Sequence, residues 1–175
     1  MTQAPLVYDD SQLRRILERV KTIAMVGAST SEMRPSYFAM LYLQGKGYRV
    51  LPVNPRSAGE TLLGETVYPD LASLPLVPDM VSIFRRSSEA GAVADEAVRL
   101  GIKVVWMQLG VRNDVAAAEA EAAGLQVVMN RCPKIEYGRL SGEIGWAGVN
   151  AGAITSKRPL LSGRGVQSHV IAAKR

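Results

Sequence analysis

Gly27 and the two apolar runs on either side of it limit what this chain can fold into. The first run, Thr22-Ile23-Ala24-Met25-Val26-Gly27-Ala28-Ser29, breaks at its glycine, and a strand is expected over 21–28. The second is Tyr48-Arg49-Val50-Leu51-Pro52-Val53, and it ends in Asn54-Pro55-Arg56. The interval between them holds one helix. Pro35 suits its first turn, where a missing N–H is no loss, and Gly45 or Gly47 suits its end. Strand, Gly/Ser loop, helix and strand make a βαβ unit, the usual beginning of a nucleotide-binding sheet.

The pattern then repeats. An amphipathic helix is expected over residues 9–20, from the spacing of Leu13, Ile16, Leu17 and Val20, with Asp10 or Ser11 as N-cap. Further strands are expected at 79–84, 102–109 and 125–129. Helices at 87–100, 114–123 and about 135–140 follow them, with Gly101 and Gly124 as stops and Asn113 as a cap. Tyr37, Phe38, Leu41 and Tyr42 form a helical stripe that reads as packing. The irregular stretch 56–78 is expected to place a short element, 61–67, over the ligand edge, and one helical turn at 71–74. Strands alternating with helices predict a single-domain α/β fold: a Rossmann-like, doubly wound, parallel five-stranded sheet. The expected strand order is 3-2-1-4-5. The domain is expected over 1–150, with its core at about 13–140, and 151–175 as a basic tail.

The charge argues against a nucleic-acid-binding body. The net charge is +5, yet residues 1–143 hold 16 basic and 16 acidic side chains. The excess comes from Lys157, Arg158, Arg164, Lys174 and Arg175, in a final segment without an acid. No apolar run reaches the roughly 18 residues of a membrane helix, and no signal peptide is expected. Cys132 is the single cysteine and reads as a small buried residue. A chain without internal disulfides is expected in the cytoplasm. Oligomeric state and protein partners stay open.

In an open α/β sheet, ligands bind beyond the carboxyl ends of the strands. The residues expected there are Ser29-Thr30-Ser31 with Arg34, then Asn54-Pro55-Arg56, then Arg85-Arg86-Ser87-Ser88, then Gln108-Leu109-Gly110, then Asn130-Arg131. Arg34, Arg56, Arg85, Arg86 and Arg131 are five guanidinium forks on one edge, suited to a ligand with several phosphates. Gly27 permits a tight turn, and amides after it can face a pyrophosphate at a helix N-terminus. The loop has one glycine where the dinucleotide fingerprint has three. No carboxylate follows Val53, where NAD sites place one for the ribose. NADP or coenzyme A is therefore favoured over NAD, with Arg56 available to a ribose phosphate. His169, the one histidine, falls in the tail. There is no zinc-type Cys/His cluster and no Walker A loop, so the reading leans away from catalysis. Glu136 and Tyr137 beside the fifth strand are candidate acid/base residues, but Glu136 reads first as a surface partner of Lys134 or Arg139.

Three segments, 23–29, 48–55 and Arg131-Cys132-Pro133-Lys134-Ile135-Glu136, resemble the small stand-alone bacterial CoA-binding proteins. Those are similar in turn to the N-terminal, CoA-binding domain of the succinyl-CoA synthetase α subunit. The resemblance implies a Rossmann-like fold that holds coenzyme A, free or acylated, along the strand ends. By position it makes Gly27, Ala28, Ser29 and Thr30 the phosphate loop, and Arg34 and Pro35 the start of the next helix. It gives Val53, Asn54, Pro55 and Arg56 to the adenosine and its phosphate, Phe84 and Arg85 to the turn packing along the nucleotide, and Asn130 to the family's Asn/Asp-Arg-Cys motif. The synthetase's second domain is missing, so ligase activity is not implied. Two other readings stand beside CoA binding: an NADP-dependent oxidoreductase using the same edge, and a partner-binding module using the basic tail.

Overall fold

A computed structural model describes residues 5–143 of the chain. The expectations for 144–150, for the basic tail and for His169 lie outside the described residues. Helix α1 (Asp10–Arg19) precedes strand β1 (Thr22–Val26), helix α2 (Pro35–Gly45) and strand β2 (Arg49–Val53). A one-turn 3-10 helix (Pro55–Ser57) leads to a small hairpin, β3 (Thr61–Leu62) and β4 (Glu65–Thr66). Then come β5 (Met80–Ile83), α3 (Ser87–Leu100), β6 (Val104–Met107), α4 (Asp114–Ala122), β7 (Gln126–Val128) and α5 (Pro133–Leu140). No helix among the described residues is long and apolar enough to cross a membrane.

Five parallel strands form the main sheet, in the order β2-β1-β5-β6-β7. This corrects the expected order: the third long strand pairs with the first and not with the second. Pro52 gives the reason. Its outward side carries no N–H, and a proline is tolerated in a sheet only at an edge. A strand laid outside β2 would meet a missing donor there. Instead the Tyr68 amide donates to the Pro52 carbonyl at 2.9 Å, and Asn54 donates to the Tyr68 carbonyl at 2.8 Å. The inner side of β1 takes β5, in the register Ile23 to Met80 through Val26 to Ile83.

The central strand β1 is apolar on both faces because both are covered. Ile23 and Met25 join one core cluster with α1, α2 and α5, and Ala24 and Val26 join the other with α3 and α4. Alanines at 90, 94 and 97 of α3 and at 116, 117 and 120 of α4 let these two helices lie close to the sheet. At the start of β1, the Asp79 carboxylate accepts from the amides of Lys21 (2.8 Å) and Thr22 (2.9 Å) and from the Thr22 hydroxyl (3.0 Å). Burial raises the Asp79 pKa, but these donors outweigh it and hold it below the usual carboxylate value.

Several local expectations change. Asp9, and not Asp10 or Ser11, caps α1 by accepting from the Ser11 amide at 2.9 Å. Asp10 is left free to pair with Arg139 of α5 at 2.6 Å. The hairpin lies along the outer edge of β2 and reaches the far end of α2, where Gln44 donates to the Leu63 carbonyl at 3.2 Å. It does not cover the ligand edge. Residues 71–74 form a turn without a helix, since Asp70 captures both the amide and the hydroxyl of Ser73 and Pro75 follows. The buried face of α2 is Ser36, Ala39, Met40 and Leu43, while Phe38 and Leu41 are half exposed.

One buried ion pair fastens the last described residue to the body. Lys46, fully buried after α2, pairs with Glu143, and the Tyr42 hydroxyl donates to the same carboxylate at 2.5 Å. Burial first, then the Glu143 carboxylate, push the Tyr42 phenol well above its ordinary pKa. Tyr42, Tyr48 and Tyr137 stack edge to face around this pair.

Candidate functional site

The turn after β1 needs glycine for two separate reasons. Gly27 has φ +87°, a conformation that L side chains rarely adopt. A Cβ there would also stand 2.6 Å from the Phe84 carbonyl oxygen, so the β1 turn and the β5 turn touch through backbone alone. The Gly27 amide is not aimed at a ligand, because it donates to the Val53 carbonyl at 2.9 Å.

The loop that follows is knitted to itself. The Ser29 amide donates to Ser36 Oγ at 3.1 Å and the Ser31 amide to Ser29 Oγ at 3.2 Å. Asn54 joins this loop to the one after β2, donating from Nδ2 to the Ala28 carbonyl at 2.7 Å and accepting the Arg56 amide at 3.1 Å. Val53 is buried, while Pro55, Arg56, Thr30 and Arg34 are exposed. The sequence assigned these positions to a ligand. In the structure the Asn54 amide ties the two loops together through Nδ2 and caps the 3-10 turn of its own loop through Oδ1.

Beyond the ends of β5, β6 and β7 the surface opens into a cleft of about 760 Å³. Four segments line it. Met33, Pro35, Phe38 and Ala39 come from the start of α2, and Phe84, Arg85 and Arg86 from the turn after β5. Gln108, Leu109 and Val111 follow β6, and Cys132, Lys134 and Ile135 open α5. Its volume falls within the usual range for small-molecule sites, and its position is where an open α/β sheet binds ligands. Of the residues assigned from sequence, Pro35, Phe84 and Arg85 line this cleft. Gly27 backs onto it through Phe84. Ala28, Ser29, Thr30, Arg34, Val53, Asn54, Pro55, Arg56 and Asn130 do not line it.

Asn130 shapes the wall from behind. It has φ +53°, and its Oδ1 accepts the Gly110 amide at 2.8 Å while its own amide donates to Val111 at 3.1 Å. The loops after β6 and β7 are thereby tied together. Arg131, counted among the five phosphate-facing arginines, is used structurally. It donates to the carbonyls of Asn130 (2.9 Å) and Leu6 (3.3 Å), stands 5.6 Å from the Tyr8 ring and pairs with Glu136 at 3.7 Å. It pins the N-terminal arm, whose Tyr8 hydroxyl accepts the Met129 amide at 2.7 Å. Glu136 is buried and pairs with Arg139 and Arg131, not with Lys134 on the surface. Cys132 is half buried on the cleft wall and precedes α5.

Arg34, Arg56, Arg85 and Arg86 have no ion-pair partner among the described residues. The cleft itself carries Arg85, Arg86 and Lys134 and no carboxylate. The Lys134 ammonium lies 5.8 Å from the centre of the Tyr42 ring. Buried Gln108 donates to Ser82 Oγ at 3.3 Å and so is fixed in the floor. Sequence reasoning missed Met33, Phe38, Ala39, Val111 and Ile135 as site residues. For Met33, Phe38 and Ile135 the signal is exposure of an apolar side chain beside a cleft, which a sequence does not display, whereas Ala39 and Val111 are buried in its wall.

Known proteins are similar to this chain in sequence and fold. The family model described as a CoA binding domain matches residues 21–138. The uncharacterized protein YneT of Bacillus subtilis (strain 168) is 32% identical over 127 residues, which are 73% of this chain and 93% of YneT. A hypothetical protein from Pyrococcus horikoshii OT3 superposes with a TM-score of 0.73 at 36% identity, over 79% of this chain and 98% of that one. The Thermus thermophilus protein designated cell-free ID.343 gives a TM-score of 0.72 at 38% identity, over 75% and 98%.

Proposed function

This chain belongs to the CoA binding domain family, and on that premise we propose that it binds coenzyme A, free or acylated, along the carboxyl ends of its parallel strands. One observation carries the reading: a ligand-sized cleft at those ends, lined by three cations and no carboxylate. Coenzyme A offers phosphates at one end and an uncharged arm at the other. Guanidinium forks recognise phosphate oxygens bidentately, so Arg85 and Arg86 hold phosphate. Gly27 to Thr30 and the start of α2 at Arg34 and Pro35 supply the turn and helix terminus that favour a pyrophosphate. Val53 and Pro55, held in place by Asn54, form the shelf for the adenosine, and Arg56 takes the phosphate on its ribose. In this reading Asn130 and Asn54 keep the shape of the edge rather than touch the ligand.

The reading is one of binding, and it assigns the chain no reaction of its own. Titration calorimetry with coenzyme A, dephospho-CoA and NADPH tests it. Coenzyme A is expected to bind, and dephospho-CoA about tenfold more weakly, the worth of one charge-assisted contact. Binding of NADPH without binding of coenzyme A would hand the site to an NADP-dependent oxidoreductase.

A further inference from the structure

The exposed apolar side chains of this protein are not scattered. Eight large hydrophobic residues are exposed among the described residues, and four of them, Met33, Phe38, Leu109 and Ile135, line the cleft described above. Single exposed hydrophobics need no explanation, whereas several gathered on a concave rim mark a binding surface. Deeper in the cleft the apolar character continues with Phe84 and Val111. Arg85, Arg86 and Lys134 line the same cleft. The cleft therefore has two chemistries side by side, and they suit a ligand that is anionic at one end and apolar at the other.

Two other occupants suit it less well. A second copy related by a twofold axis would bring the same patch against itself. Arg85, Arg86 and Lys134 would then face their own equivalents with no lining carboxylate to compensate. The segment 144–175 of this chain carries five basic side chains and no acid, so it has the wrong charge for a cationic cleft.

Resting on the coenzyme A reading above, we infer that the physiological ligand is an acyl-CoA with an apolar acyl chain. The chain lies against Met33, Phe38, Leu109 and Ile135, and Phe38 sets the response to chain length. Free coenzyme A would leave this rim in water. A dicarboxylic acyl group such as succinyl would place a carboxylate on it.

Calorimetry of the full chain with coenzyme A, acetyl-CoA, hexanoyl-CoA and succinyl-CoA tests the inference. Each methylene fully withdrawn from water is worth about fourfold in affinity. Hexanoyl-CoA has four more than acetyl-CoA, so at partial burial it is expected to bind at least about tenfold more tightly. Succinyl-CoA is expected to bind no more tightly than free coenzyme A. In Phe38→Ser the hexanoyl-to-acetyl ratio is expected to fall to about one to threefold, with thermal melting to verify that this half-exposed position leaves the fold intact. Val115→Ser, at an exposed apolar residue of α4 outside the cleft, is expected to keep the full ratio. Equal affinity for coenzyme A, acetyl-CoA and hexanoyl-CoA would overturn this inference and leave the coenzyme A reading standing. No binding of any of the four would overturn both. A hexanoyl gain that survives Phe38→Ser and Met33→Ser together would remove the acyl chain from this rim. A dimer that sedimentation shows to dissociate in Phe38→Ser would assign the rim to a second copy instead.

Discussion

The two halves of the ligand edge use their polar groups in opposite ways. Around β1 and β2 they are turned inward: Gly27 donates to Val53, Ser29 to Ser36, and Asn54 to Ala28. Around β5, β6 and β7 they are turned outward, with Arg85, Arg86 and Lys134 lining the open cleft. Arg34 and Arg56 apart, the first half is a fixed shape; Gln108, Asn130 and Arg131 apart, the second is a set of uncommitted charges and apolar walls. Damage to the first is therefore expected to appear as lost stability, and damage to the second as lost affinity.

That contrast can be broken most severely at Gly27. Gly27→Ala adds a Cβ 2.6 Å from a backbone oxygen at a positive φ, and a loss of about 3 kcal/mol in denaturant unfolding is expected from strain and overpacking together. A loss under about 1 kcal/mol would mean that the β1 and β5 turns can part. Arg85→Ala with Arg86→Ala is the complementary experiment. Affinity for coenzyme A is expected to fall about thirtyfold, near 2 kcal/mol, with stability changed by no more than about 0.5 kcal/mol. The reverse pattern, firm binding by a weakened fold, would erase the distinction between the halves.

Asn54→Ala should come next, at about 1 kcal/mol of stability for two lost loop contacts. Affinity falling with unchanged stability would move Asn54 from holding the loops to touching the ligand. The smallest effect belongs to the opposite end of the sheet. Asp79 has its pKa held below the unfolded value, so its contribution is present above about pH 4 and is lost as pH falls through the folded value. Melting temperatures of Asp79→Asn between roughly pH 2 and pH 6 are expected to show a shallower acid slope, with coenzyme A affinity at neutral pH unchanged.

What a sequence discloses depended on whether one residue type had one use. Gly27, Asn113 and Gly101 punctuate as read, because positive φ and capping are demands that few residues meet. The five-stranded α/β sheet was legible for the same reason. Its order differs from the expected one although the chain carries the clue: Pro52 fits an apolar run, but its missing N–H also marks β2 as an edge. Arginine has many uses, and position alone could not separate Arg85, which lines the cleft, from Arg131, which clamps the N-terminal arm. Helix α2 is apolar around much of its surface, so two stripes satisfy helical spacing equally well. The core took Ser36, Ala39, Met40 and Leu43, and Phe38 was left for the cleft. Coenzyme A was reached through motif resemblance, whereas the apolar rim could emerge only from folded coordinates.

The buried Lys46–Glu143 pair constrains how relatives of this chain can diverge. Removing either partner strands an uncompensated charge in the interior, a loss of about 3–5 kcal/mol that few domains survive. Replacing both by apolar side chains of matching volume is often neutral or better, but the route there passes through one of the costly single changes. Positions 46 and 143 should thus drift as a unit through a family tree, both charged or both apolar, although 97 residues separate them.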